Sequence, residues 1–129
     1  KSRSRGLGDV YKRQVQRAAK LAEKGDLARD QLVAGDVVKT ELFESASEKD
    51  LFAALEQLQP LAQQLSYQAL ADALVAATPA LKAFFDGETS VMVMVEDSAL
   101  RLNRLNLLAV LRNQASVLAE FESIQKAEA

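Results

Sequence analysis

An all-α bundle of four to six helices is the fold this sequence predicts, and three observations carry that expectation. Helix-forming Ala, Leu, Gln, Glu, Lys and Arg dominate, while only five Gly and two Pro interrupt the 129 residues. Apolar residues recur at the three- and four-residue spacing that lines one helix face, with polar residues between. The β-branched run 91–95 has no second run to pair with, and an isolated strand leaves its backbone unsatisfied. It reads as a buried connector or a helix end.

Taken in order, the segment from Lys12 to Lys24 reads as helix, closed by Gly25 where a left-handed C-cap is favoured. Asp26 to Glu44 is less regular. Ser45 with Glu48 three residues on forms a capping-box signature, or Ser47 supplies the cap, and Leu51, Phe52, Leu55 and Leu58 follow as one stripe. Pro60 either ends or kinks this helix, and the kink is favoured because Leu61 and Leu65 continue the stripe. Ser66 is the expected N-cap of a third helix that buries Leu70, Ala73, Leu74 and Ala77. Thr78 and Pro79 are a cap-then-first-turn signal for a short helix reaching Asp86 and closed by Gly87.

Asp97 or Ser98 caps the clearest helix. Its Leu100, Arg104, Leu107, Leu108, Leu111, Ala115 and Leu118 share one face, and Leu102, Leu105 and Ala109 form a second strip. A helix apolar on two sides belongs in the middle of a bundle.

Composition narrows the functions. The chain has no Cys and no His, so disulfides, thiolate nucleophiles and imidazole acid–base chemistry are excluded, and with them the commonest transition-metal ligands. No apolar run approaches the roughly 20 residues needed to cross a bilayer. The carboxylates lie scattered, and a pair such as Glu120 and Glu122 reads as a solvated face. No catalytic residues, metal site or cofactor site are expected within this chain.

Charge is uneven. Lys1, Arg3, Arg5, Lys12 and Arg13 against Asp9 give the first 14 residues a net of +4, so the other 115 carry −6 of the overall −2. An acidic body opposes broad electrostatic attraction to nucleic acid but leaves room for one local basic surface. The segment KSRSRGLGDVYKRQ has no apolar period and no signal-peptide pattern. It resembles an adaptor-derived or disordered segment, the alternatives being a genuine basic tail or the start of the first helix, so residues 1–14 are set aside and 15–129 are expected to form the domain, as a fragment of a longer chain.

Two basic sets stand out. Arg13, Arg17, Lys20 and Lys24 recur at i, i+4, i+7 and i+11, which is one helix stripe suited to following a phosphate backbone, or a plain solvated face. Arg101, Arg104 and Arg112 fall within an arc of roughly 80° on the last helix, near Asn103, Asn106 and Asn113. Guanidinium groups pair with phosphate or stack on bases, and carboxamides read base edges, so Arg101, Asn103, Arg104 and Arg112 are RNA-contact candidates beside Arg17, Lys20 and Lys24. Arg104 reads equally as a buried anchor bonded to carbonyls or to a carboxylate such as Asp97. Tyr67, Phe84, Phe85 and Phe121 have the spacing of core aromatics, and Met92 and Met94 of gap-filling core residues.

The string FFDGETSVMVMVEDSALRLNRLNLLAVLRN, residues 84–113, resembles the C-terminal end of the β subunit of bacterial glycine–tRNA ligases. The likeness rests on Phe84-Phe85-Asp86, on Val91 to Met94, on Glu96 and Asp97, and on Ala99, Leu100, Arg101, Asn103, Arg104 and Leu105. VQRAAKLAEKG and ELFESASEKDLFAAL upstream are also similar to that family. The resemblance implies a DALR-type anticodon-binding domain, a helical bundle that contacts the anticodon arm of tRNA, with Arg101 and Arg104 on the family pattern. Asp97-Ser98-Ala99-Leu100-Arg101 departs from the motif by one extra residue after the aspartate. The insertion before Met92 and the C-terminal ending look like the cyanobacterial branch.

The family further implies a glycine tRNA partner, a separate α subunit that activates glycine with ATP and Mg²⁺, and a cytoplasmic location. The alternatives are a structural bundle docking on the rest of its own synthetase, and the related domain of arginine–tRNA ligase. The VMVM segment argues against the latter.

Overall fold

Helix formation follows the apolar stripes. The computed structural model describes residues 2–28, 30–85 and 95–128, with side chains described at 12–28, 30–85 and 95–118. Among these residues the chain forms five α-helices: α1 (Ser2–Ala22), α2 (Ala46–Gln63), α3 (Tyr67–Ala76), α4 (Thr78–Phe85) and α5 (Ser98–Glu128). The all-α expectation holds. Two 3₁₀ turns, Ala34–Asp36 and Thr40–Leu42, are the only regular pieces described between α1 and α2. No described helix is long and apolar enough to cross a membrane.

α1 begins at Ser2, so residues 2–11 precede the expected start at Lys12 within the same helix, which is the alternative of a helix start over an adaptor-derived or disordered segment. Its end departs from expectation too. The last turn tightens through Lys24 N–H to Leu21 O and Gly25 N–H to Ala22 O, both 3.0 Å, and Gly25 does not take the left-handed conformation. Gly25 instead lies against Leu105 of α5, where an added Cβ would meet Leu105 Cβ at 3.6 Å, an ordinary packing distance.

α2 opens with the expected capping box. The Ser45 hydroxyl accepts from Glu48 N–H at 3.3 Å, while Glu48 Oε1 accepts from Ser45 N–H at 3.1 Å and Glu44 N–H at 2.9 Å. The helix continues through Pro60, as the stripe suggested, and ends three residues later. Leu65 does not extend that stripe. It sits beyond the helix at φ 57° and is 55% exposed.

The hydrogen bonds explain why. Ser66 N–H reaches Leu61 O at 2.9 Å and Leu65 N–H reaches Ala62 O at 3.3 Å, the paired bonds of a Schellman ending, which requires a left-handed residue between helix and turn. Ser66 occupies the N-cap position of α3 but makes no side-chain cap bond. Thr78 likewise does not cap α4. Its hydroxyl donates back to Leu74 O at 3.4 Å, serving a carbonyl near the end of α3.

α5 is the central element and packs on α1, α2 and α3. Every residue from Asn103 to Leu111 is buried, so both apolar strips are covered, and only Leu102, 48% exposed, escapes. Leu107, Leu108 and Leu111 meet Leu51, Leu55 and Leu58 of α2, Leu70 and Leu74 of α3, Leu81 and Phe84 of α4 and Ala18 and Ala22 of α1 in one core. Each fully buried Leu contributes about 1.5–3 kcal/mol, so α5 is the main apolar anchor. Phe84 is fully buried, and Tyr67 and Phe85 are half-buried against the core, as expected of these aromatics. Phe121, Met92, Met94 and the 91–94 run lie outside the described side chains.

The strain at Leu65 is testable. Leu65→Gly removes a Cβ penalty at a left-handed position and little buried area, so stability should rise by about 1 kcal/mol. The check is the urea midpoint, and an unchanged or lower value would show that the position carries no strain.

Candidate nucleic-acid interface

Arg104 lies on the inward face of α5 and is 5% exposed. Its Nε donates to Glu48 Oε2 at 3.2 Å and its Nη2 to Glu44 Oε1 at 3.0 Å. Of the two readings open for this residue, the geometry supports the buried anchor. The carboxylates come from α2 and the turn before it, not from Asp97. Asp97 Oδ1 instead accepts from Ala99 N–H at 3.0 Å and Leu100 N–H at 3.2 Å, capping the exposed start of α5.

Glu48 is a partner that local spacing does not assign to Arg104. Its signal was present, because Glu48, Leu51, Leu55, Leu58 and Ala62 share the buried face of α2. One carboxylate therefore caps its own helix through Oε1 and holds Arg104 through Oε2.

The polar side chains of α5 also turn inward. Asn103 accepts from Lys39 N–H at 2.6 Å and donates to Lys39 O at 3.0 Å. Asn106 donates to Val37 O at 3.1 Å, Asn113 to Ala28 O and Gln31 O at 2.8 Å each, and Gln114 to Leu32 O at 2.9 Å and Leu55 O at 3.0 Å. Arg112 is half-buried, with Nη2 toward Leu27 O at 3.5 Å and Nε on Asn113 Oδ1 at 3.1 Å. These partners run antiparallel to α5. Residues 112–114 serve 27–32, then Asn106 serves Val37 and Asn103 serves Lys39, so the irregular α1–α2 connection is held by side chains in place of a sheet. Arg101, half-buried, donates from Nη1 to Val95 O at 2.9 Å and ties down the lead-in to α5.

Of the RNA-contact candidates, Asn103 and Arg104 are thus buried and engaged, and Arg101 and Arg112 are half-buried and bonded to backbone carbonyls. Arg17, Lys20 and Lys24 are exposed, as is Arg13. Arg13, Arg17 and Lys20 form an exposed stripe of α1 alongside the buried Gln14, Ala18 and Ala22, and Lys24 follows in the terminal turn. Lys12 is also exposed, and Glu23 is the only acid among residues 12–24. Arg17 carries one further feature that spacing did not reveal: its Cζ lies over the Phe85 ring of α4, 4.7 Å from the centroid. Among the described residues, no group of three Asp or Glu side chains is placed to hold a metal ion.

This geometry defines an all-α bundle with a basic helix face on an otherwise acidic body. The chain belongs to the DALR anticodon binding domain family, whose model matches residues 11–120. It is 50% identical over 116 residues, 87% of its length, to the glycine–tRNA ligase β subunit of a Picosynechococcus species. It is 45% identical over 128 residues to that of Acaryochloris marina, covering 96% of this chain, and 41% identical over 103 residues to that of Acinetobacter baumannii, covering 77%. The chain spans only 16%, 18% and 14% of the length of these three relatives. No solved structure gives a significant match.

Two outcomes check the inward-facing network. Arg104→Met leaves Glu48 as an uncompensated buried charge and should cost about 3–5 kcal/mol, whereas Arg104→Met with Glu48→Gln should cost less than the sum of the single changes. Additive losses in a chemical-denaturation cycle would show that the pair is not coupled. Asn103→Ala should speed hydrogen exchange at the Lys39 amide well before global unfolding, and unchanged protection there would sink its role as that amide's acceptor.

Proposed function

We propose that this domain binds the anticodon arm of a glycine tRNA as the C-terminal part of a glycine–tRNA ligase β subunit, supporting aminoacylation without performing it. Membership of the DALR anticodon binding domain family and similarity to glycine–tRNA ligase β subunits support the reading. The observation that carries it on this chain is the exposed row Arg13, Arg17, Lys20 and Lys24, set on a bundle whose remaining described surface is mostly acidic.

Cations on one stripe neutralise successive phosphates and release their counterions, giving affinity that falls with salt. Arg104 is buried on two carboxylates, and Arg101 and Arg112 each donate to a backbone carbonyl, so in this reading the phosphate-facing role passes to α1. The domain contributes positioning: holding the arm at one end lets a distant acceptor end reach a catalytic centre elsewhere. That centre, with ATP and Mg²⁺ for glycine activation, belongs to a separate α subunit reached through the longer β chain, in the cytoplasm. No catalytic step is assigned to the residues described above.

The test is fluorescence anisotropy with glycine tRNA and an unrelated tRNA over a salt series. Replacing Arg13, Lys20 and Lys24 together by Gln should weaken glycine-tRNA binding at least tenfold and flatten the salt slope by about 2, with the fold intact by circular dichroism. An unchanged affinity would leave the domain as a bundle that docks on the rest of its synthetase. Equal affinity for both tRNAs at every salt would remove anticodon recognition from this piece.

A further inference from the structure

We propose that Arg17 and Phe85 form a stacking platform for one unpaired nucleotide, so that the basic face of α1 takes single-stranded loop RNA in preference to duplex. The proposal rests on the RNA-binding reading above and adds which feature of the RNA is recognised.

The platform is built from two helices. Phe85 closes α4 and is held edge-to-face on the fully buried Phe84, with centroids 5.5 Å apart and planes at 84°. Phe84 fixes the ring from the core side while Phe85 itself stays half-buried. Arg17 comes from α1 and lies over that ring at 4.7 Å, yet remains exposed.

An aromatic face beneath a guanidinium restrains a side chain that otherwise samples many rotamers, so a base settling on its outer side orders little more of the protein. Stacking on a guanidinium plane needs a base freed from its helix, which a duplex interior does not offer and a loop does. The surroundings suit a nucleotide. Arg13 and Lys20 lie one turn to either side of Arg17, about 10 Å apart along the axis at 1.5 Å per residue. Lys82, exposed, sits three residues before Phe85 on α4. A planar centre flanked by cations fits a base whose neighbouring phosphates need neutralising, whereas a purely electrostatic stripe would take duplex and loop alike.

The alternative is that Arg17 on Phe85 merely joins α1 to α4. The experiment compares two RNA probes with the 129-residue chain at one salt concentration: a hairpin with a seven-nucleotide loop, and the same stem extended into uninterrupted duplex. The wild type should prefer the hairpin. Phe85→Leu, which keeps an apolar contact but no ring, and Arg17→Lys, which keeps the charge but no plane, should each lower hairpin affinity roughly tenfold and change duplex affinity little. Lys20→Gln should weaken both probes alike.

A 2-aminopurine placed in the loop should be quenched on binding to the wild type and not on binding to either platform variant. Arg17→Lys, on the surface, keeps the test decisive should Phe85→Leu unfold. An unchanged hairpin-to-duplex ratio in Arg17→Lys, with Lys20→Gln still weakening both probes, overturns the platform and leaves RNA binding standing. Failure of the wild type to bind either probe overturns both.

Discussion

A guanidinium in the middle of a helical bundle is tolerated only if the fold surrounds it with charge and acceptors, and that requirement at Arg104 organises this domain. Its Nε meets Glu48 Oε2 at 3.2 Å, and the other oxygen of the same carboxylate closes the capping box that starts α2. The start of one helix and the centre of another are thus fixed by a single side chain. Glu48 is fully buried and Glu44 lies at the surface, so the first carboxylate sets the geometry and the second satisfies an outward donor. Apolar burial supplies most of the stabilisation. The ion pair supplies register, because sliding α5 along α2 by one turn would strand both charges.

The same logic extends along α5. A connection from Asp26 to Glu44 with little regular structure has many backbone groups to satisfy, and laid against an apolar helix it would be untenable. Asn103, Asn106, Asn113 and Gln114 make it tenable by presenting amides where a neighbouring strand would present peptide groups. This is why α5 carries carboxamides on positions that an ordinary buried helix fills with Leu or Ala. It also explains how the domain separates its tasks: the polar groups of α5 hold the fold, and the cations of α1 face solvent.

Much of this was legible before the fold was known. The capping box at Ser45 and Glu48, the continuation of α2 through Pro60 and the burial of Leu107 and Leu111 follow from spacing, since periodicity reports directly which residues share a face. Other features were not legible, for identifiable reasons. Asp97 and Glu48 are both plausible partners for Arg104 in one dimension, and nothing local says that α2 and not the lead-in to α5 crosses its guanidinium. Leu65 continues an apolar stripe on paper, but the Schellman hydrogen bonds turn it out of the helix. The Arg17 and Phe85 pair joins residues of two helices far apart in sequence.

Sequence by itself determined the class of structure: an all-α bundle of four to six helices, a central one apolar on two sides, and a chemistry without His or Cys. It also marked the cations and carboxamides as the residues with something to do. Only the tertiary structure decided what each of them does. An Arg or Asn on a helix has the same local preference whether it faces a phosphate or a backbone carbonyl, and the choice is made by what the fold places within about 3 Å of it. For α5 that neighbour is the α1–α2 connection, and for α1 it is solvent and one aromatic ring.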